Sequence, residues 1–251
     1  MEDDIKRELF SLPSIATFIS AGISIWAYFQ SQLLIVVSVL SVLVIILSSY
    51  LINVHRKYRK MKRFKEIDED IHRLTHRMRD YLTELQACLN DNEAKQVIAN
   101  ATKAVLTTSS TIFTKLTAEE CVASLMLPDK NSRKLNTVQY SFNVDPQREG
   151  NDSQGLNPDE GIAGKAFNSG DVVVWNNYDS TFVKIRENHE KCYLSGISIP
   201  FKAGYSYAGI LNIDCMECSV FSVDNHKQIG AAIADSLGIL TEALSIWENK
   251  Q

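Results

Sequence analysis

Between Leu9 and Val54 the chain has no Asp, Glu, Lys, Arg or His, a run of 46 residues without charge. Surface elements of a soluble domain alternate apolar with charged positions, so a run of this length excludes an ordinary water-facing segment. Other absences narrow the chemistry. There is no Gly-rich phosphate loop ending in Lys-Ser or Lys-Thr, no nucleophile elbow and no His-Glu-x-x-His, and no kinase or phosphatase signature is found. Clustered cations are lacking from Asn92 onward, where 14 Lys or Arg stand against 19 Asp or Glu. That balance argues against a nucleic-acid partner, because phosphate backbones are bound by clustered cations. Cysteines number five, at 88, 121, 192, 215 and 218, an odd and irregular set that reads as reduced thiols rather than a disulfide framework. A cleavable signal peptide is not expected, since the start MEDDIKRELF is mixed in charge and no small-residue cleavage site follows.

The uncharged run has internal structure. Leu33 to Val54 supplies 22 apolar or weakly polar residues, which as a helix span roughly 33 Å, enough for a hydrocarbon core of about 30 Å. The next eleven residues, His55 to Lys65, carry seven Lys or Arg. A basic cluster beside a span marks the cytoplasmic side and favours anionic membrane lipid by about 1 kcal/mol per basic residue near the surface. Gln30-Ser31-Gln32 breaks the run, so residues 1–54 read as a transmembrane hairpin with a first span at about Leu12 to Phe29. Trp26, Tyr28 and Phe29 stand where an interfacial aromatic belt belongs. Two crossings place both termini and everything after Lys65 in the cytoplasm, a multi-pass inner-membrane arrangement. Ser14, Thr17, Ala21, Ser24 and Tyr28 make one small, faintly polar face, and Ser38, Ser41 and Ser48 another. Such faces either allow close helix packing or line a pore or seam in an oligomer.

Residues 55–91 continue as the basic segment and a heptad helix. Ile67, Ile71, Leu74, Met78, Tyr81, Leu85 and Cys88 recur at alternating spacings of 4 and 3. The seam is expected to pair with a parallel second copy, giving a coiled-coil homodimer or higher homo-oligomer, with packing on the chain's own domain as the alternative. Asn90-Asp91-Asn92 followed by Glu93 marks a new helix start. Residues 92–251 then alternate: a helix over Ala94 to Leu116, strands at Glu120 to Leu127 and Leu135 to Phe142, and a long polar loop from Asn143 to Asp159. GIAGKAFNSG (161–170) is a short helix, followed by a strand at Asp171 to Trp175 and an irregular stretch to Lys191. Strands at Tyr193 to Phe201 and Tyr207 to Asp214 come next, and Ser222 caps a last amphipathic helix with Ile229, Ile233, Leu237, Leu240 and Leu244 on its apolar side.

Three pieces of this order resemble the GAF domain family of cytosolic small-molecule sensors. They are GIAGKAFNSG followed by DVVVWNN, the strand SGISIPF (195–201), and GILNID (209–214) with FSVD (221–224) before the last helix. The resemblance covers about Glu93 to Ile246 and implies an α+β domain, an antiparallel sheet with helices behind it and a ligand pocket in front. It places Tyr140, Phe142, Gly161, Ile162, Trp175, Asn176, Phe182 and Ser195 at the pocket, for a small-molecule ligand that is often a cyclic nucleotide. The aromatic members are equally readable as core. Cyclic-nucleotide binders of the family carry an Asn-Lys pair, then Phe, then Asp-Glu; here Asn176-Asn177, Phe182 and Arg186-Glu187 stand in those places. Arg186 in the acidic position favours a phosphate-bearing ligand. No cofactor is expected.

The enzymatic alternative on the same fold is a cysteine-based free methionine sulfoxide reductase, whose His-x-x-Cys segment resembles His189 to Cys192. The short interval to Pro200 and a cysteine-free 143–159 loop depart from that pattern. Cys215-Met216-Glu217-Cys218 reads as an idle pair, since no second ligand pair at metal spacing accompanies it, and no metal site is expected. With the chain ending soon after its last helix, output is expected from the hairpin itself or from a separate partner protein. The layout of two spans plus a nucleotide sensor resembles membrane effectors of bacterial antiviral signalling.

Overall fold

The computed structural model of the protein describes residues 16–26, 28, 33–129, 131–132, 134–141, 155–157, 161–176, 193–217 and 219–248. They form two compact units, Met1–Glu66 and Ile67–Gln251.

In the first unit, α1 spans Ala16–Trp26, and the opening half of α2, which runs Leu33–Ala87, follows. Phe18, Ile25, Trp26, Val42, Val44, Ile45, Ile46 and Ile52 are exposed. An exposed apolar surface of this extent is unstable in water and suits a hydrocarbon surround. The serines fit that surround. Ser24 donates to the Ser20 carbonyl at 2.7 Å and Ser41 to the Val37 carbonyl at 2.8 Å, so each hydroxyl is satisfied within its own helix. By length and composition the helix over Val37–Ala87 is able to cross a membrane. The helix over His226–Glu248 passes the same test, but Ile233, Ala234, Leu237 and Leu240 within it are buried in the core of the second unit.

The second unit is α+β. After the end of α2 come α3 (Asp91–Thr117), β1 (Cys121–Pro128), β2 (Leu135–Tyr140), α4 (Gly161–Ser169), β3 (Val173–Trp175), β4 (Ser195–Ala203), β5 (Ser206–Cys215) and α5 (Val223–Glu248). The strands make one antiparallel sheet in the order β2-β1-β5-β4-β3. Local chemistry sets the element ends. Asn90 accepts from the Glu93 N–H at 3.0 Å while the Glu93 carboxylate takes the Leu89 N–H at 3.0 Å, a reciprocal cap at the start of α3. The β1–β2 turn is held by Asp129, which accepts from the Asn131 and Ser132 amides and the Ser132 hydroxyl. Those bonds, led by the Ser132 amide, hold its carboxyl below the usual range.

One face of the sheet carries the main core. Ala123 and Leu125 of β1, Ile197, Ile199 and Phe201 of β4, and Leu211 and Ile213 of β5 share one buried cluster with Ala101, Val105 and Phe113 of α3 and with Ile233 and Leu237 of α5. The same cluster contains Ile67, Leu74 and Met78 of α2, with Ile71 and Tyr81 packed against it. Leu85 is buried with Ala94 and Trp247. The heptad seam, expected to pair with a second copy, instead lies against helices of its own chain. Asp70, beside the seam, pairs with Lys115 of α3 and with Arg73 at 3.3 Å. His226, near the start of α5, accepts the Ser222 N–H on Nδ1 at 2.9 Å and stacks near Phe113 and Phe221.

Candidate functional site

The other face of the sheet is polar where a core face would not be. In a strand, successive side chains point to opposite faces, so the members of β1, β4 and β5 absent from the helix-side core point the other way. Read across the ladders, Tyr140, Ser124, Asn212, Ser198 and Val173 form one row. Val122, Asp214, Gly196 and Trp175 form the next. Beyond the first row, Ile210 and Met126 pack with Leu135 and with Ala163 and Ala166 of α4, which covers that end of the face.

The polar row is buried at its two serines, half-buried elsewhere, and connected. Ser124 is 1% exposed and Ser198 4%. Ser198 donates to Asn212 Oδ1 at 2.6 Å, and the Asn212 amide points its N–H at the Met126 sulfur at 2.9 Å. In the neighbouring row Trp175 and Asp214 converge over the bare Cα of Gly196. A Cβ on Gly196 would stand 2.4 Å from the indole Nε1 and 2.8 Å from Asp214 Oδ1. Only glycine allows an indole and a carboxylate to meet there. Replacing Gly196 with Ala is expected to cost about 1–3 kcal/mol through overpacking and to change the Trp175 fluorescence, whereas Ala at the open Gly204 turn leaves the fluorescence unchanged. An unshifted Trp175 spectrum in Gly196→Ala would contradict the arrangement.

The residues expected at the pocket divide into groups. Tyr140 and Trp175 lie on this face by register. Gly161, at φ +69°, begins α4, and a side chain there would meet nothing within 4 Å; Ile162 beside it is half-buried. Asn176 is placed otherwise. Its amide donates to the Phe221 carbonyl at 2.7 Å and accepts the Phe221 N–H at 3.1 Å, tying the end of β3 to the entry of α5. Ser195 pairs across from Cys215 on the helix side of the sheet, fully buried, and its hydroxyl donates to the Glu217 carbonyl. Phe142, Phe182 and Arg186 lie outside the described residues, as do His189, Cys192 and Cys218. Ser124, Ser198, Asn212 and Asp214 were not anticipated. The signal for the last two was the alternation in GILNID, where Asn and Asp fall two apart in an otherwise apolar strand.

The described thiols are poor nucleophiles. Cys121 and Cys215 face each other across β1 and β5. Burial pushes the Cys121 thiol up to about 12, and burial likewise raises that of Cys215. A thiol kept protonated does not attack. Among the described residues no three His, Cys, Asp or Glu side chains gather as a metal centre.

No family model matches the sequence, and no curated protein matches it. Solved structures do. The GAF domain of a phosphoenolpyruvate-protein phosphotransferase from Coxiella burnetii is 17% identical, with 72% of this chain and 97% of that one covered at a TM-score of 0.47. The GAF domain of an Acinetobacter phosphoenolpyruvate-protein phosphotransferase is 15% identical over 67% and 93%, at 0.46. A free methionine-R-sulfoxide reductase from Neisseria meningitidis, in complex with its substrate, is 18% identical over 68% and 93%, at 0.43.

Proposed function

We propose that the protein is a membrane-anchored cytosolic sensor that binds a small molecule, of nucleotide type, on the polar face of its GAF-like sheet. The row of buried Ser124 and Ser198 with half-buried Asn212 between them carries this reading, because a sheet face needed only for packing would be apolar there. Hydroxyl and amide groups match the donor and acceptor edges of a base, and the Trp175 indole and Tyr140 ring offer stacking surfaces. Arg186, with a phosphate, completes the nucleotide reading. The exposed apolar surface of the first unit and the seven basic residues after Val54 suit an anchor at an anionic inner membrane. In the fuller form of the proposal, ligand binding shifts a homo-oligomer and the hairpins perturb the membrane, as in an antiviral effector. That coupling requires the ligand to prefer one oligomeric state. The competing readings are a tethered receptor for a partner protein and a reductase acting through Cys192.

The test is thermal unfolding of the full chain in detergent micelles against linear and cyclic nucleotides and free methionine sulfoxide. A true ligand at a hundred times its Kd adds about 2.7 kcal/mol of stability. A shift with one nucleotide class, lost in Asn212→Leu, is the expected result. No shift with any nucleotide removes the nucleotide reading, and turnover of methionine sulfoxide that disappears in Cys192→Ala establishes the reductase. Expression without loss of membrane potential, in cells given the shifting nucleotide, removes the effector reading.

A further inference from the structure

Asp68, His72, His76 and Asp80 follow one another in α2 at steps of four residues. Side chains four apart stack along one face of a helix, and this face is exposed, on the side of α2 away from the buried Ile67, Leu74 and Met78. The two histidines converge at its centre. Nε2 of His72 and Nε2 of His76 stand 3.0 Å apart, with the rings edge to face at 85° and centroids 4.4 Å apart. Bound to one zinc ion through bonds of about 2.0–2.1 Å, two imidazole nitrogens stand roughly 2.9–3.4 Å apart at coordination angles between square and tetrahedral. The pair already holds that bite. A hydrogen bond between two exposed imidazoles gains little in water, and the same convergence suits a shared cation.

We infer that His72 and His76 form a bidentate site for a divalent transition metal, Zn2+ or Cu2+, on the cytosolic stretch of α2. Both ions suit imidazole nitrogen, and Cu2+ binds the more tightly of the two. Asp68 and Asp80, one turn to either side, place negative charge next to the cation, and water fills the remaining positions. Arg79 opposes the site. Its Nη2 lies 3.0 Å from His76 Nδ1, and since arginine only donates, that nitrogen accepts and Nε2 carries the proton. Metal binding moves the proton to Nδ1 and turns Arg79 away into solvent. A chelate that forms only on the helical turn stabilises that turn by mass action, so the ion would stiffen α2 along its docked seam, on the opposite face. The site is independent of the ligand face.

The full chain, purified in detergent micelles without a polyhistidine tag, is titrated with Zn2+ by calorimetry and with Cu2+ by electron paramagnetic resonance. The expected parent shows one saturable site and a two-nitrogen copper signal. His72→Ala and His76→Ala each weaken binding by about tenfold or more, because the second imidazole no longer acts at high effective concentration, and the copper signal falls to one nitrogen. Arg79→Ala binds as tightly as the parent or more so. Both histidines are exposed, and circular dichroism of the variants checks that α2 is kept. The inference is overturned if the parent shows no saturable binding, if the double variant His72→Ala/His76→Ala binds as the parent does, or if Arg79→Ala weakens binding.

Discussion

Leu74→Ala should lower the stability of the second unit by about 2–5 kcal/mol, a fall of roughly 2–4 °C in Tm for each kcal/mol in a unit of this size. Leu74 is buried in the cluster that joins α2 to α3, α5 and the sheet. Truncating it removes apolar contact and leaves a cavity, since a core held by three layers relaxes only in part. Urea or thermal unfolding of the full chain in detergent, with Trp175 or Trp247 of the second unit as probe, measures the loss. The loss should be the same at all protein concentrations, because the partner of the seam is the same chain. A seam that instead joined two copies would give a midpoint that rises with concentration, and Leu74→Ala would dissociate the oligomer while leaving the folded unit nearly as stable as before. Arg77→Ala, three residues away and exposed, should change stability by no more than about 0.5 kcal/mol.

That ambiguity shows what a heptad pattern contains. The spacing from Ile67 to Cys88 states which side of the helix is apolar, and the structure buries that side. It does not state what covers it, because a helix of the same chain and a helix of a second copy offer the same apolar surface. The strands were more legible. The β1–β2 pair is bounded by a polar turn, where Asp129 with its three accepted hydrogen bonds is the kind of punctuation that such a turn requires.

The polar face of the sheet was legible only in part, and parity is the reason. A shift of one residue in a strand carries a side chain to the opposite face. Ser195 and Ser198 of β4 are three apart, an odd number, so they fall on opposite sides. The resemblance selected Ser195, on the core side with Cys215, while Ser198 lies with Asn212 on the polar face. Asn176 illustrates a different limit. Its residue type suits a base edge, but the same two-ended amide also suits a backbone N–H and carbonyl, and Phe221 presents both at hydrogen-bond distance. Nothing in the local sequence distinguishes the two uses, because Phe221 is 45 positions away.

Gly238→Ala should destabilise the second unit by about 3 kcal/mol or more, against the direction that helix propensity gives. Gly238 lies inside α5, where replacing glycine by alanine ordinarily gains about 1 kcal/mol. Here a Cβ would stand 2.0 Å from the Lys202 carbonyl oxygen of β4. The obstacle is backbone, tied into the sheet by β4 pairing with β5, so relief requires α5 or β4 to move away from a close-packed interface. Gly230, eight residues earlier in the same helix, is the matched control. Its Cβ would meet Ile199 Cδ1 at 2.3 Å, the far end of a side chain that can change rotamer. Gly230→Ala should therefore fall between the gain of about 1 kcal/mol and a comparable repacking loss. Unfolding of the two variants under identical conditions decides the matter. If Gly238→Ala proves as stable as Gly230→Ala, α5 does not approach β4 as closely as the structure has it, and the core between them is looser than described.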